Sequence, residues 1–290
     1  MKYRVGHTTT YSYASKVDLA SHMLHLAPRA LPGQMVLEHD ITADPAPSRS
    51  SDALDHFGNN VTWMFIDRPH AEFEVTVTAL VDVEFAAPPP ARTTLPWELV
   101  VAQARAGGPG AWQAAEFTFD SPMVPAEPAA GVYAAASFPP GRPILEALLE
   151  LNARIRKEFS FKSGVTEVNT PVSKVLAQKA GVCQDFTHLM IAALRMHGLP
   201  ARYVSGYLRT KPPPGTPARR GADQSHAWVG AWLGVEHGWV DLDPTNNLVV
   251  RDEHVVLAWG RDYGDISPVR GVILGGGRHT LSVGVDLEPV

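Results

Sequence analysis

From Ala71 to Phe85 the odd positions run Ala, Phe, Val, Val, Ala, Val, Val, Phe, while most even positions are Glu, Thr or Asp. Side chains that alternate between two environments with period two satisfy both only in an extended chain, so this run predicts a strand with one buried face. A strand needs partners, and Met35 to Thr42 and Val61 to Ile66 are further strand candidates. The second comes after a turn at Asp55-His56-Phe57-Gly58-Asn59-Asn60. The stretch up to Phe85 therefore reads as mostly β, a small sandwich.

Ala86-Ala87-Pro88-Pro89-Pro90 ends this pattern: three successive residues have no N–H to give a sheet, and the run favours polyproline geometry. It separates a β-rich domain over 1–90 from the rest of the chain. Gly and Pro interrupt every period across 91–140, where only a short helix in Glu98 to Ala106 is legible, so this part reads as an irregular connector.

Order returns with period 3.6. Ile144, Leu148, Leu151, Ile155 and Phe159 lie three and four apart, the mark of an amphipathic helix facing a core. Thr170 before Pro171 predicts an N-cap with proline at the first helical position, and Gly181 a stop. After Cys183 come Phe186, Leu189, Met190, Ala193 and Leu194, a helical stripe ending at His197-Gly198-Leu199-Pro200, so Cys183 falls at a helix N-terminus. Arg202 to Leu208 then reads as a strand, Lys211 to Pro217 as a proline-rich loop, and His226 to Leu233 with Trp239 to Leu242 as a strand pair. Residues 141–265 thus form a core of helices and antiparallel sheet, and 266–290 a tail in which Gly275-Gly276-Gly277 bends into a strand, Thr280 to Leu287, that docks on an existing sheet. The fold class is α+β.

At 290 residues the chain can bury a sizeable core. A net charge of -5 and a pI near 6.2 leave no basic surplus for phosphates or anionic lipid, so neither nucleic acid nor a membrane is an expected partner. Cys183 is the one cysteine, which excludes an intrachain disulfide. Met1-Lys2-Tyr3-Arg4-Val5 carries no apolar signal core and no run is long and apolar enough to span a bilayer, so the expected compartment is the cytoplasm.

The lone thiol is where chemistry is expected. A thiol attacks as thiolate, and its reference pKa of about 8.5 falls where a helix N-terminus and an imidazolium stabilise the anion. Cys183 has the first by position. For the second, a two-residue turn at Gly234-Val235 would set His226 opposite Asp243, while a slip by two would bring Asp241 there on the same face. A carboxylate beside the histidine fixes its tautomer and supports the imidazolium, as in any nucleophile, base and orienter set. The spacing leaves both aspartates open.

Four ordered motifs, GVCQDFTHL, GLPARYVSGYL, QSHAWVGAWL and GWVDLDPTNN, resemble the core of the bacterial transglutaminase-like superfamily. The resemblance extends to the β-rich front with its Asp-x-Phe-Gly-Asn turn and to Trp259-Gly260-Arg261-Asp262-Tyr263. It implies a β-sandwich-like domain before a papain- or transglutaminase-like core, in which a helix bearing Cys183 packs on an antiparallel sheet bearing His226 and Asp243. It further implies these three as nucleophile, base and orienter, a thioester formed with a protein or peptide carboxamide or scissile amide, and acyl transfer to an amine or to water, with hydrolysis mildly favoured. No cofactor is expected, and no segment resembles the calcium loops of the animal crosslinking enzymes.

Blander readings stand beside these. A lone cysteine is usually a small buried hydrophobe. His226 is one of 12 histidines, and Asp243-Pro244 opens a turn unaided. His22 and His25 have metal-like spacing but are too few. His188 is turned about 140° from the thiol on a helix, and Asp185 in the first turn reads as helix stabilisation. Trp228 and Trp232 read as core before site wall. A fold kept for binding a peptide or partner without catalysis is the alternative function.

Overall fold

The computed structural model describes residues 1–210 and 224–290; the loop read at Lys211 to Pro217 lies outside them. In the front region, β1 (Lys2–Leu24), β2 (Gln34–Asp44), β3 (Arg49–Leu54), β4 (Asn60–Ile66) and β5 (His70–Val83) form one antiparallel sheet. β5 is the strand that alternation predicts. β1 is the organiser: β5 and the C-terminal strand flank its first half, β4 and the strand before that one its second. Its buried residues are odd through Tyr3, Val5, His7, Thr9 and Val17, then even from Ala20 to Leu24. The switch falls at a bulge between Val17 and Leu19, because one extra residue in a ladder inverts every later side chain. The front is thus a single sheet curled on itself, not two separate sheets.

Connector residues 91–140 hold more helix than their glycines and prolines suggest: α1 (Trp97–Ala106), α2 (Trp112–Ala115) and α3 (Pro128–Ala134). Then come α4 (Ile144–Glu158), β6 (Ser160–Phe161), α5 (Val172–Gln178), β7 (Ala180–Gly181) and α6 (Cys183–Met196). The stop expected at Gly181 is corrected: α5 ends at Lys179 in the left-handed region, φ 48, and Gly181 belongs to β7. The expected Thr170 cap is corrected too, since Pro171 holds the N-cap and the Thr170 hydroxyl accepts from the Glu167 amide.

A second sheet comes next, of β8 (Ala201–Leu208), β9 (Gln224–Trp232), β10 (Trp239–Asp243), β11 (Leu248–Val249) and β12 (His254–Gly260), in the order β11-β10-β9-β8-β12. β13 (Val269–Gly275) and β14 (His279–Pro289) return to β1 in the front sheet, joined through Gly275, Gly276 and Gly277, all at positive φ. α6 is the hub: every residue from Asp185 to Arg195 is buried, and its apolar face packs with α4 on Ala227, Val229 and Ala231 of β9. Tyr3, Val81 and Leu287 of the front sheet share a core with Tyr207, Val255 and Leu257, so the edge strand β12 and its neighbour β8 join the two sheets. Among the described residues no helix is long and apolar enough to cross a membrane.

Candidate active site

Cys183 opens α6, where the first backbone N–H groups have no acceptor within the helix. Asp185 stops the helix from unwinding backwards: its carboxylate accepts from the Val182 amide at 2.7 Å and from the Thr166 hydroxyl at 2.7 Å. Gly181 makes room for it, since a Cβ there would fall 2.6 Å from Asp185 Oδ2. Burial raises the Asp185 pKa against the pull of these two hydrogen bonds. Helix stabilisation is therefore its role here. His188, turned about 140° from Cys183 around the helix, accepts from the Tyr263 amide at 3.2 Å.

The β9–β10 register differs from the expected one. Trp239 pairs with Trp232 and Leu242 with Val229, so continuing the ladder sets Asp243 beside Trp228 instead of His226. The two-residue turn fails because the chain closes later: Leu233 donates to the Gly238 carbonyl at 2.7 Å, and Gly234 and Gly238 both take positive φ, 105 and 66. The slip is by two, so face parity survives. From that diagonal position Asp243 Oδ2 accepts from His226 Nε2 at 2.8 Å. Asp241, the other contender, accepts from Trp228 Nε1 at 3.0 Å and does not reach the histidine. Gly206 creates the space, because a Cβ on it would collide with the Val255 carbonyl oxygen and with the indole of Trp228 lying across β8. Trp228 and Trp232 are both fully buried, and Trp228 stands 6.2 Å from the His226 ring, a core residue that also walls the site.

The two oxygens of Asp243 divide the labour. Oδ1 accepts from the Thr245 and Asn246 amides at 2.9 and 3.1 Å, which is the turn-opening role. Oδ2 takes His226 and, at 2.7 Å, the Asn246 side-chain amide. His254 adds its Nε2 at 3.6 Å. Burial opposes the Asp243 charge, but the His226 hydrogen bond, then the nearby His254 imidazole and the Asn246 hydrogen bond, hold its carboxyl well below the usual range. Burial likewise opposes charge on His226. The Asp243 hydrogen bond and the neighbouring Cys183 side chain overcome it and push the imidazole up to about 10. With Nε2 committed to Asp243, Nδ1 is the nitrogen left for sulfur. Cys183 is partly exposed while His226 and Asp243 are buried, so a reactant meets the sulfur first.

Asn246 and His254 went unread in the sequence. Asn246 has a local signal, three residues past Asp243 in a turn. His254 has none, because it arrives from β12, two strands away. His226, Asp243 and His254 bring ligand atoms within 4.8 Å of one another; a divalent ion there would displace the proton held between His226 and Asp243, so the set reads first as a hydrogen-bond network. His22 in β1 and His25 just past its end are buried, His22 stacked on Phe73 at 4.1 Å and His25 3.4 Å from Asp55.

Fold and site together define an α+β protein in which a helix-terminal thiol meets a histidine–aspartate pair carried by an antiparallel sheet. Residues 3–82 match the bacterial transglutaminase-like N-terminal region and residues 134–244 the transglutaminase-like superfamily. An uncharacterized protein of Mycobacterium tuberculosis is 40% identical over 99% of this chain and 93% of its own length, and one of Mycobacterium leprae is 33% identical over 98% and 97%. The chain belongs to the transglutaminase-like superfamily. A provisionally designated cysteine protease of Cytophaga hutchinsonii has the same fold, with a TM-score of 0.76 at 21% identity over 99% of this chain and 90% of that one.

Proposed function

We propose that the protein is a cysteine enzyme acting on amide bonds of a protein or peptide, with Cys183 as nucleophile, His226 as general base and acid, and Asp243 as orienter. The observation that carries this reading is the buried His226 imidazole, bonded on one side to Asp243 at 2.8 Å and interacting on the other with Cys183. In the proposed reaction the Cys183 thiolate adds to the carbonyl carbon, and the oxyanion is met by backbone N–H groups at the start of α6. The His226 imidazolium gives its proton to the leaving nitrogen as the C–N bond breaks, which leaves a thioester and a neutral imidazole. Water or an amine then attacks, His226 takes its proton, and the thiolate departs. Hydrolysis is the favoured outcome.

Iodoacetamide labelling, read by intact-protein mass, tests this before any substrate is known. Wild type should label rapidly below neutral pH, and His226→Ala should lose that labelling. Labelling confined to alkaline pH and unchanged in His226→Ala would overturn the assignment and favour a fold kept for binding.

A further inference from the structure

A cavity of about 670 Å³ opens between the front sheet, the Ala86–Pro89 linker and the core sheet, and its lining includes none of Cys183, His226 and Asp243. Its two arginines pack on indoles. The Arg29 guanidinium carbon is 3.5 Å from the Trp259 ring centroid, and that of Arg202 is 3.9 Å from Trp259 and 4.3 Å from Trp239.

Arg202 is 8% exposed, yet its charge is poorly matched. The Asp241 carboxylate stands 3.7 Å from Nη2, beyond hydrogen-bond reach, and Nε has no partner. Burial accordingly lowers its pKa to about 10, with Asp241 only partly restoring it. The other charged groups around the cavity are committed: Asp241 accepts from Trp228, Glu116 from His56 at 2.8 Å, and Arg29 donates to Asn59 at 2.6 Å. A second buried arginine shows what satisfaction looks like in this molecule. Arg195 donates to the Phe117, Ala201 and Arg261 carbonyls and to the Ser121 hydroxyl, all within 3.1 Å.

A buried charge without close partners is costly. Indoles cover the faces of a guanidinium and leave its N–H edge for a planar anion. The cavity volume lies in the range of small-ligand sites, and Leu31, Phe85 and Val250 supply apolar wall. We propose that this cavity binds an organic carboxylate, its anionic end at Arg202 and its hydrocarbon or aromatic body along that wall. The carboxylate belongs either to a free small acid or to a peptide C-terminus. The site is independent of catalysis at Cys183.

Isothermal titration calorimetry on the whole protein tests it, with 3-phenylpropionate, uncharged 3-phenylpropanol, and a short peptide ending in phenylalanine with a free or an amidated terminus. At least one carboxylate probe should bind, and its uncharged counterpart should bind at least about tenfold more weakly, the loss expected for hydrogen bonds to a charged group. Binding of the acid alone identifies a small acid as the source; binding of the free-terminus peptide alone identifies a peptide end. Arg202→Gln should weaken binding by a similar factor. Should that variant fold poorly, Ala87→Phe, in the exposed linker at the cavity wall, should weaken binding on an intact protein. Equal affinity for charged and uncharged probes, no binding at millimolar concentration, or wild-type affinity in both variants would overturn the proposal.

Discussion

Asp241 and Asp243 lie two residues apart on one face of β10 and live in opposite circumstances. Asp243 is fully buried and accepts four hydrogen bonds, from His226, Thr245 and twice from Asn246. Asp241 accepts from Trp228 and faces an arginine at 3.7 Å. A saturated carboxylate is fixed in rotamer and in charge, so it can hold an imidazole to one tautomer. A carboxylate loosely matched to its cation leaves that cation with capacity to spare. One short strand thus serves a rigid end beside the thiol and an under-matched end beside the cavity between the two sheets.

The most direct way to break this comparison is to exchange both carboxylates for amides. Asp243→Asn should cost about 10³-fold or more in any amidase activity found, as expected when the orienter of a triad imposes the wrong tautomer, and up to about 30-fold in the labelling rate of Cys183 at neutral pH, the limit set by the few per cent thiolate of an unactivated thiol. Asp241→Asn should cost less than about tenfold. Equal losses would remove the distinction between the two ends.

Stability against pH sharpens it next. The His226 pKa rises from its ordinary 6.5 to about 10, so its contribution is complete below 6.5 and fades as pH climbs through about 10. The Asp243 value falls from 3.8, so the same interaction is present above 3.8 and is lost as pH drops through the lower folded value. Denaturant titrations should show a plateau between those limits. Asp243→Ala should destabilise the plateau by about 3–5 kcal/mol, because it strands a buried imidazolium. A pH-independent difference between wild type and Asp243→Ala would argue against an ion pair. The smallest effect belongs to His254→Ala, which removes only the 3.6 Å neighbour of Asp243; a loss of about tenfold in labelling rate, ~1.4 kcal/mol, is expected. No loss would mean that the Asn246 clamp suffices alone.

The elements legible in the sequence are those whose neighbours impose one period. β5 and α4 each bury a single face, so alternation and the three-four spacing mark them. β1 stayed hidden although it organises the front sheet, because its buried phase inverts at the bulge and its middle, Thr8 to Ser15, has only Tyr11 and Tyr13 to mark a buried face. The β9–β10 register was misread by two because Gly234 invited a tight turn while Gly238, also at positive φ, closes the loop. His226 and Asp243 were still brought together, since an even slip keeps both on one face. His254 and Arg202 were illegible for another reason: their meaning lies in what β8 and β12 bring beside them, and no local pattern records it.

The course of β1 has a consequence for how the chain is made. Its first half is flanked by β5 on one side and by β14 on the other, with Tyr3 opposite both Val81 and Pro289. During synthesis, an early strand therefore waits with one row of N–H and C=O groups unpaired until residues 279–289 have emerged. The closing ladder is among the most non-local in the molecule, the kind of pairing that slows folding and leaves a bare strand edge open to a neighbouring chain.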